Sequence, residues 1–202
     1  MTPKTVQYFY SLASPWSYLG VGRLIRLAEE AGLSIESVPI STFKDNGWVP
    51  LGEKPAIRQA YVMADLKRWA TRLKVPMVLG ADRPALANLA EALPMVWAAQ
   101  VAGADALALS VALQKAYWED CRDVGTAPGR IATATEAGFD GAALAALEGG
   151  ADVAAQKARM FDRARAAGVF GSPTYVFEEE MFWGQDRLDF LAEAVAAQKA
   201  LA

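Results

Sequence analysis

Apolar and polar positions along this chain switch period, and the switches mark out its elements. Thr5 to Tyr10 (Thr-Val-Gln-Tyr-Phe-Tyr) is a run of β-branched and aromatic residues and predicts a short buried strand. Ser14 at an N-cap position, with Pro15 just inside it, starts a helix whose Leu24, Leu27, Ala28 and Ala31 share one face; Gly32 stops it. Ser34 to Ile40 reads as a second strand, and Ser41 to about Pro55, broken by Gly47, Pro50, Gly52 and Pro55, as a long loop. Val62, Leu66, Trp69, Ala70 and Leu73 form the stripe of a further helix. Two apolar helices are expected near Pro84 to Val101 and Ala104 to Asp120. The second is apolar almost all round and therefore central. Shorter helices follow to about Gly149, and Val153, Met160, Phe161 and Ala164 mark one more that ends at Gly168. The pattern then returns to strands: Thr174 to Phe177, a polar turn Glu178-Glu179-Glu180, and Met181 to Trp183. A final amphipathic helix carries Leu188, Leu191, Ala192, Val195 and Ala196.

The order is strand-helix-strand, a block of helices, then strand-strand-helix. It predicts an α/β core of residues 1–41 and 168–202 with an inserted helical domain of residues 42–167, because so many helices need a layer of their own. The chain has 202 residues, 53% of them apolar and 21% charged, which is a globular composition large enough to need no disulfide staples. A net charge of −3 without a basic run gives no reason to expect nucleic acid, and no apolar stretch is long enough to span a bilayer. The opening Met1-Thr2-Pro3-Lys4 has no secretory signal pattern, and a single cysteine, Cys121, cannot form an internal disulfide, so a cytoplasmic location is expected. Histidine is absent. That removes a Ser-His-Asp triad, a Cys-His pair and histidine-ligated metal, and the lone cysteine removes a CxxC redox centre and a thiolate-cluster metal site. No metal is expected.

Three short constellations can carry chemistry. Ser14-Pro15-Trp16-Ser17 sits at a strand-to-helix turn, where free backbone N–H groups and the helix dipole favour an anion. Gly168-Val169-Phe170-Gly171-Ser172-Pro173-Thr174 places a proline flanked by small residues before a strand, a candidate cis peptide. Phe182-Trp183-Gly184-Gln185-Asp186-Arg187-Leu188 puts a carboxylate in a first helical turn, where it suits the dipole or holds an ammonium group. Taken singly, each is also an ordinary N-cap, a plain trans loop proline and a helix-opening carboxylate.

Taken together, the three resemble the DsbA-like branch of the thioredoxin fold: a tetrad after the first strand, inserted helices, and Gly-Ser-Pro-Thr before the third strand. Ser14 and Ser17 stand at that branch's two cysteine positions. This departure resembles the kappa-class glutathione transferases and, more closely, the 2-hydroxychromene-2-carboxylate isomerases. Ser14-Pro15-Trp16-Ser17-Tyr18-Leu19, Val49-Pro50-Leu51-Gly52, Arg58-Gln59-Ala60-Tyr61, Leu66-Lys67-Arg68-Trp69 and Phe182-Trp183-Gly184-Gln185-Asp186-Arg187-Leu188 all carry the likeness, which covers essentially the whole chain. Some members hold an asparagine in the loop before this helix; here Gly52-Glu53-Lys54-Pro55 has none, and Asn46 lies earlier.

The resemblance implies a thioredoxin-like, DsbA-like fold and a site that borrows the thiol of glutathione. Ser14 would hydrogen-bond the sulfur and favour its thiolate. Ser172, beside Pro173, would pair its backbone with the cysteinyl part. Gly184, Gln185, Asp186 and Arg187 would hold the γ-glutamyl end, with Asp186 facing the ammonium. The substrate implied is a small aromatic carboxylate of aromatic catabolism. Lys44, Lys54 and Arg58 are candidates for its carboxylate, and Trp16, Trp48 and Trp183 for aromatic walls; each of these also reads as an ordinary core aromatic or solvated charge. A homodimer is expected from the relatives. A glutathione transferase that releases a stable conjugate, and a non-enzymatic peptide-binding module, remain the alternatives.

Overall fold

The computed structural model describes residues 4–41, 47 and 49–200. It contains a four-stranded sheet in the order β2-β1-β3-β4, built from β1 (Thr5–Ser11), β2 (Ser34–Ile40), β3 (Thr174–Phe177) and β4 (Glu180–Trp183). β1 runs parallel to β2, with Ser11 opposite Ile40. It runs antiparallel to β3, with Tyr8 opposite Tyr175, and β3 runs antiparallel to β4. Helix α1 (Pro15–Ala31) makes the crossover from β1 to β2, as a parallel pair requires. Pro39 is tolerated in β2 because that strand lies at the sheet edge.

Alternation along β1 sorts the two faces of the sheet. Val6, Tyr8 and Tyr10 point to one side, where they meet Tyr175, Phe177, Val21 and Leu24 of α1, and Leu188, Leu191 and Val195 of α8 (Leu188–Ala200). Tyr8 stacks on Tyr10 at 4.6 Å and on its cross-strand partner Tyr175 at 5.5 Å. Phe9 points the other way, joining Val38 and Ile40. Over them lie α3 (Leu93–Val101), α4 (Ala106–Trp118), α5 (Ala127–Glu136), α6 (Gly141–Leu147) and α7 (Ala151–Ala166). These helices are stitched to the edge strand: Trp97 Nε1 donates to Pro39 O at 3.0 Å, Gln100 Nε2 to Ser37 O at 3.0 Å, and Arg163 pairs with Glu36. α2 (Ala56–Leu73) instead packs beside α1 around Leu19, Leu66 and Leu79. α4 is the central helix its composition predicts, since Leu109 and Leu113 enter one core while Leu107 and Val111 reach the other. No helix among the described residues is long and apolar enough to cross a membrane.

Some boundaries differ from the sequence expectation. The helix expected from Pro84 begins only at Leu89, as a short 3-10 turn (Leu89–Ala92) that runs into α3. Asp123 Oδ1 accepts the Ala87 amide at 2.9 Å and holds that stretch out of the helix, while the Asn88 side chain caps the turn through Ala90 N. α4 starts at Ala106 rather than Ala104, because Asp105 is its cap, and it ends at Trp118. The β3–β4 turn is two residues, Glu178 and Glu179, both with positive φ, so Glu180 belongs to the strand. Gln185–Arg187 forms a separate 3-10 turn ahead of α8.

Candidate active site

The site begins where β1 ends. The chain turns sharply after Ser11, with Ser14 N donating to Ser11 O at 3.0 Å, and Ser14 becomes the N-cap of α1. Its Oγ accepts the Ser17 amide at 3.2 Å. That bond engages the acceptor side of the hydroxyl and leaves its hydrogen to point elsewhere. The hydrogen rests on Ser172 O at 3.4 Å, a long contact that a better acceptor can displace.

Ser172 precedes Pro173 through a cis peptide bond and faces the start of α1. Its Oγ accepts from Ser11 N at 2.7 Å and lies 2.8 Å from the fully buried Ser17 Oγ. The two serines at the cysteine positions therefore divide their roles. Ser17 is locked into the packing against the proline loop, and Ser14 opens on a cleft.

The cleft has a volume of about 720 Å³. Of the sequence candidates, Ser14, Trp16, Lys54, Arg58, Ser172 and Trp183 all contribute to its wall. Lys44 and Trp48 lie outside the described residues. Lys54 and Arg58 flank the start of α2, where the N-cap residue Pro55 offers no side-chain hydrogen bond, so two cations and a helix N-terminus stand beside Glu53 in the cleft wall. Another part of the wall is aromatic. Half-exposed Phe170 and Trp183 meet edge to face at 4.9 Å, and the indole lies so close to Gly171 that a Cβ there would fall 2.2 Å from Trp183 Nε1. Phe170 was not singled out as a site residue from the sequence, although it stands inside the proline-loop motif; nor were Val49 and Leu51 of the Val49-Pro50-Leu51-Gly52 motif, which add to the apolar wall.

Gly184, Gln185, Asp186 and Arg187 sit just beyond Trp183 rather than in the cleft lining. Gly184 N donates to Pro173 O at 2.9 Å, which ties this turn to the proline loop. Gly184 has φ 109, and a side chain there would lie 2.4 Å from Asp186 Oδ1, so only glycine fits beneath that carboxylate. Asp186 Oδ2 accepts from Arg187 at 3.0 Å, and both groups are partly exposed. Gln185 is buried and turned inward against α1.

That contact is close. A Cβ on Gly20 would stand 2.8 Å from both Gln185 Cβ and Tyr175 Oη. Helix propensity alone favours Gly20→Ala by about 1 kcal/mol, but the overpacking costs about 1–3 kcal/mol. Denaturant unfolding is expected to show Gly20→Ala net destabilised; a net gain in stability would refute this packing.

The ring stack behind the site is electrostatically quiet. Burial holds the Tyr8 hydroxyl well above its ordinary pKa, with Tyr175 and Tyr10 adding to the effect. Burial pushes Tyr10 up to about 12 and Tyr175 higher still. All three stay protonated at neutral pH and are unsuited to act as bases. The polar groups that line the cleft are hydroxyls, backbone, the cations Lys54 and Arg58 and one carboxylate, Glu53; the hydroxyls, amides and cations are the part that stabilises negative charge.

The sequence matches a family described as DSBA-like thioredoxin domain over residues 5–196. It is 29% identical over 196 residues to a 2-hydroxychromene-2-carboxylate isomerase of Sphingobium xenophagum, covering 93% of this chain and 96% of that protein. Among solved structures, a 2-hydroxychromene-2-carboxylate isomerase superposes with a TM-score of 0.79 at 24% identity, covering 96% of this chain and 95% of the other. The cytosolic disulfide reductase DsbM from Pseudomonas aeruginosa with GSH superposes with a TM-score of 0.67 at 19% identity, covering 98% of each chain.

Proposed function

The chain belongs to the DsbA-like thioredoxin family, and from that premise we propose that it is a glutathione-dependent isomerase. Its substrate pair is 2-hydroxychromene-2-carboxylate and trans-o-hydroxybenzylidenepyruvate, or a close analogue. The observation that carries this reading is the Ser14 hydroxyl. It stands where the family's redox branch has a cysteine, its acceptor side is engaged by Ser17 N, and its hydrogen is held only by a 3.4 Å contact to Ser172 O at the cleft wall.

The residues present suit a bound thiol peptide. The cleft is large enough for an extended tripeptide beside a bicyclic acid. Backbone at Ser172 offers an edge for the cysteinyl unit, and Asp186 offers a carboxylate for the amine. The same fold is known with GSH in a disulfide reductase, and the curated relative carries the isomerase name. Bound glutathione would supply a thiolate that adds reversibly to the conjugated carbon of the substrate and leaves again after rotation about a bond made temporarily single.

The chain's own residues then have defined tasks. Ser14 Oγ donates to the sulfur and, with the α1 N-terminus, favours its ionised form. Lys54 and Arg58 hold a carboxylate at the far side of the cleft. Trp16, Phe170 and Trp183 pack on the aromatic ring and exclude water from it. No redox partner is needed, which suits a chain with one cysteine.

Calorimetry tests the borrowed thiol. Glutathione is expected to bind the purified protein at or below the millimolar range, and no heat at millimolar ligand would sink the reading. With binding established, release of free glutathione and a geometrically isomerised product is expected. A stable conjugate as the end product would make the protein a transferase instead.

A further inference from the structure

Arg23 lies on α1 three residues beyond Gly20, on the face that meets the Gly184–Arg187 turn. Its guanidinium donates to Gln185 O at 3.1 Å and reaches Gln185 Oε1 at 3.5 Å. Through its other nitrogen it donates to Asp189 Oδ1 at 2.6 Å, in the first turn of α8. The Arg23 side chain is only 22% exposed, and Gln185 beneath it is buried. One residue thus grips the backbone immediately before Asp186 and a side chain shortly after it. The turn is also held by Gly184 N to Pro173 O, by Arg187 N to Gly184 O, by the Asp186–Arg187 pair and by the close Gly20–Gln185 packing.

We propose that Arg23 is a positioning residue for ligand selection: it fixes the turn so that the Asp186 carboxylate presents to the amine of a γ-glutamyl thiol. This inference rests on the glutathione reading above. Arg23 itself touches no ligand. A forked guanidinium suits the task because it bonds a carbonyl and a carboxylate in one plane, which an ammonium cannot do. α1 then carries both ends of the recognition problem. Its N-cap Ser14 addresses the sulfur, and Arg23, nine residues on, sets the group that addresses the amine. The close Gly20–Gln185 contact keeps the distance between the two fixed.

The test compares two thiols that differ in the γ-glutamyl unit, glutathione and cysteinylglycine. Calorimetric affinities are measured on wild type, Arg23→Gln and Arg23→Lys, with thermal unfolding as the fold control. Wild type is expected to prefer glutathione. Arg23→Gln should weaken glutathione about fivefold, modestly because the contacts are part-exposed, and leave cysteinylglycine within about twofold. Arg23→Lys, which keeps a charge for Asp189 but loses the fork, should fall between the two and serves as the readout if Arg23→Gln does not fold. Turnover at saturating glutathione should be unchanged. Equal weakening of both thiols would reduce Arg23 to a structural residue, and unchanged glutathione affinity would overturn the proposal. Failure of the wild type to bind glutathione at all would instead remove the reading on which it stands.

Discussion

Ser14→Ala is expected to lower turnover of 2-hydroxychromene-2-carboxylate by about 100-fold, the usual loss when one donor to a developing or bound anion is removed. Ser14 is both a cap and a donor, so the two roles must be separated. Loss of an N-cap costs about 1 kcal/mol, which a domain stable by about 5–15 kcal/mol survives. Thermal unfolding should therefore show a modest shift, and circular dichroism an unchanged fold. The pH profile adds a sign. With the donor gone the thiolate is less favoured, the thiol pKa rises, and the rising limb of activity moves to higher pH. A hundredfold loss with an unmoved pH limb would mean that Ser14 acts on something other than the sulfur. Full activity in the alanine variant would remove Ser14 from the mechanism.

Asp186→Asn should act on binding. If Asp186 meets the ligand amine as proposed, replacing its carboxylate removes a charged hydrogen bond, worth about 1.5–3 kcal/mol when shielded. Asp186 is 41% exposed and already shares its charge with Arg187, so screening trims the loss to about tenfold in Kd. The KM for glutathione should rise accordingly, while kcat at saturation stays near wild type because the sulfur end is untouched. Affinity for cysteinylglycine, which lacks the γ-glutamyl amine, should hardly change. A fall in kcat with constant KM would place Asp186 elsewhere in the chemistry.

Much of this architecture is legible in the chain. The Thr5–Tyr10 run, the Ser14-Pro15 start and the Gly32 stop give β1 and α1 because local sterics and capping decide them. The two halves of the sheet follow from a return to period two after the helices. The start of α3 was not legible. Residues 84–88 have helix-compatible composition, and only a distant carboxylate, Asp123, takes the Ala87 amide out of the helix. Phe170 and Arg23 were missed for the same kind of reason. Nothing in their local pattern distinguishes a cleft-rim aromatic from a loop aromatic, or a turn-gripping arginine from a solvated one.

The sequence by itself determined the fold and the chemical inventory. A chain without histidine and with one cysteine leaves hydroxyls, backbone amides, carboxylates and cations to do the work. Tertiary structure decided which of those groups meet. It brought residues 14 and 172 within 3.4 Å across 158 positions of chain, turned Gln185 inward, and set Arg23 against the turn that carries Asp186. The reason is one of range. Periodicity, caps and turn residues act over a few positions, whereas a site needs donors from separate strands and helices held at fixed distances, and only the packed sheet and its helices set those distances.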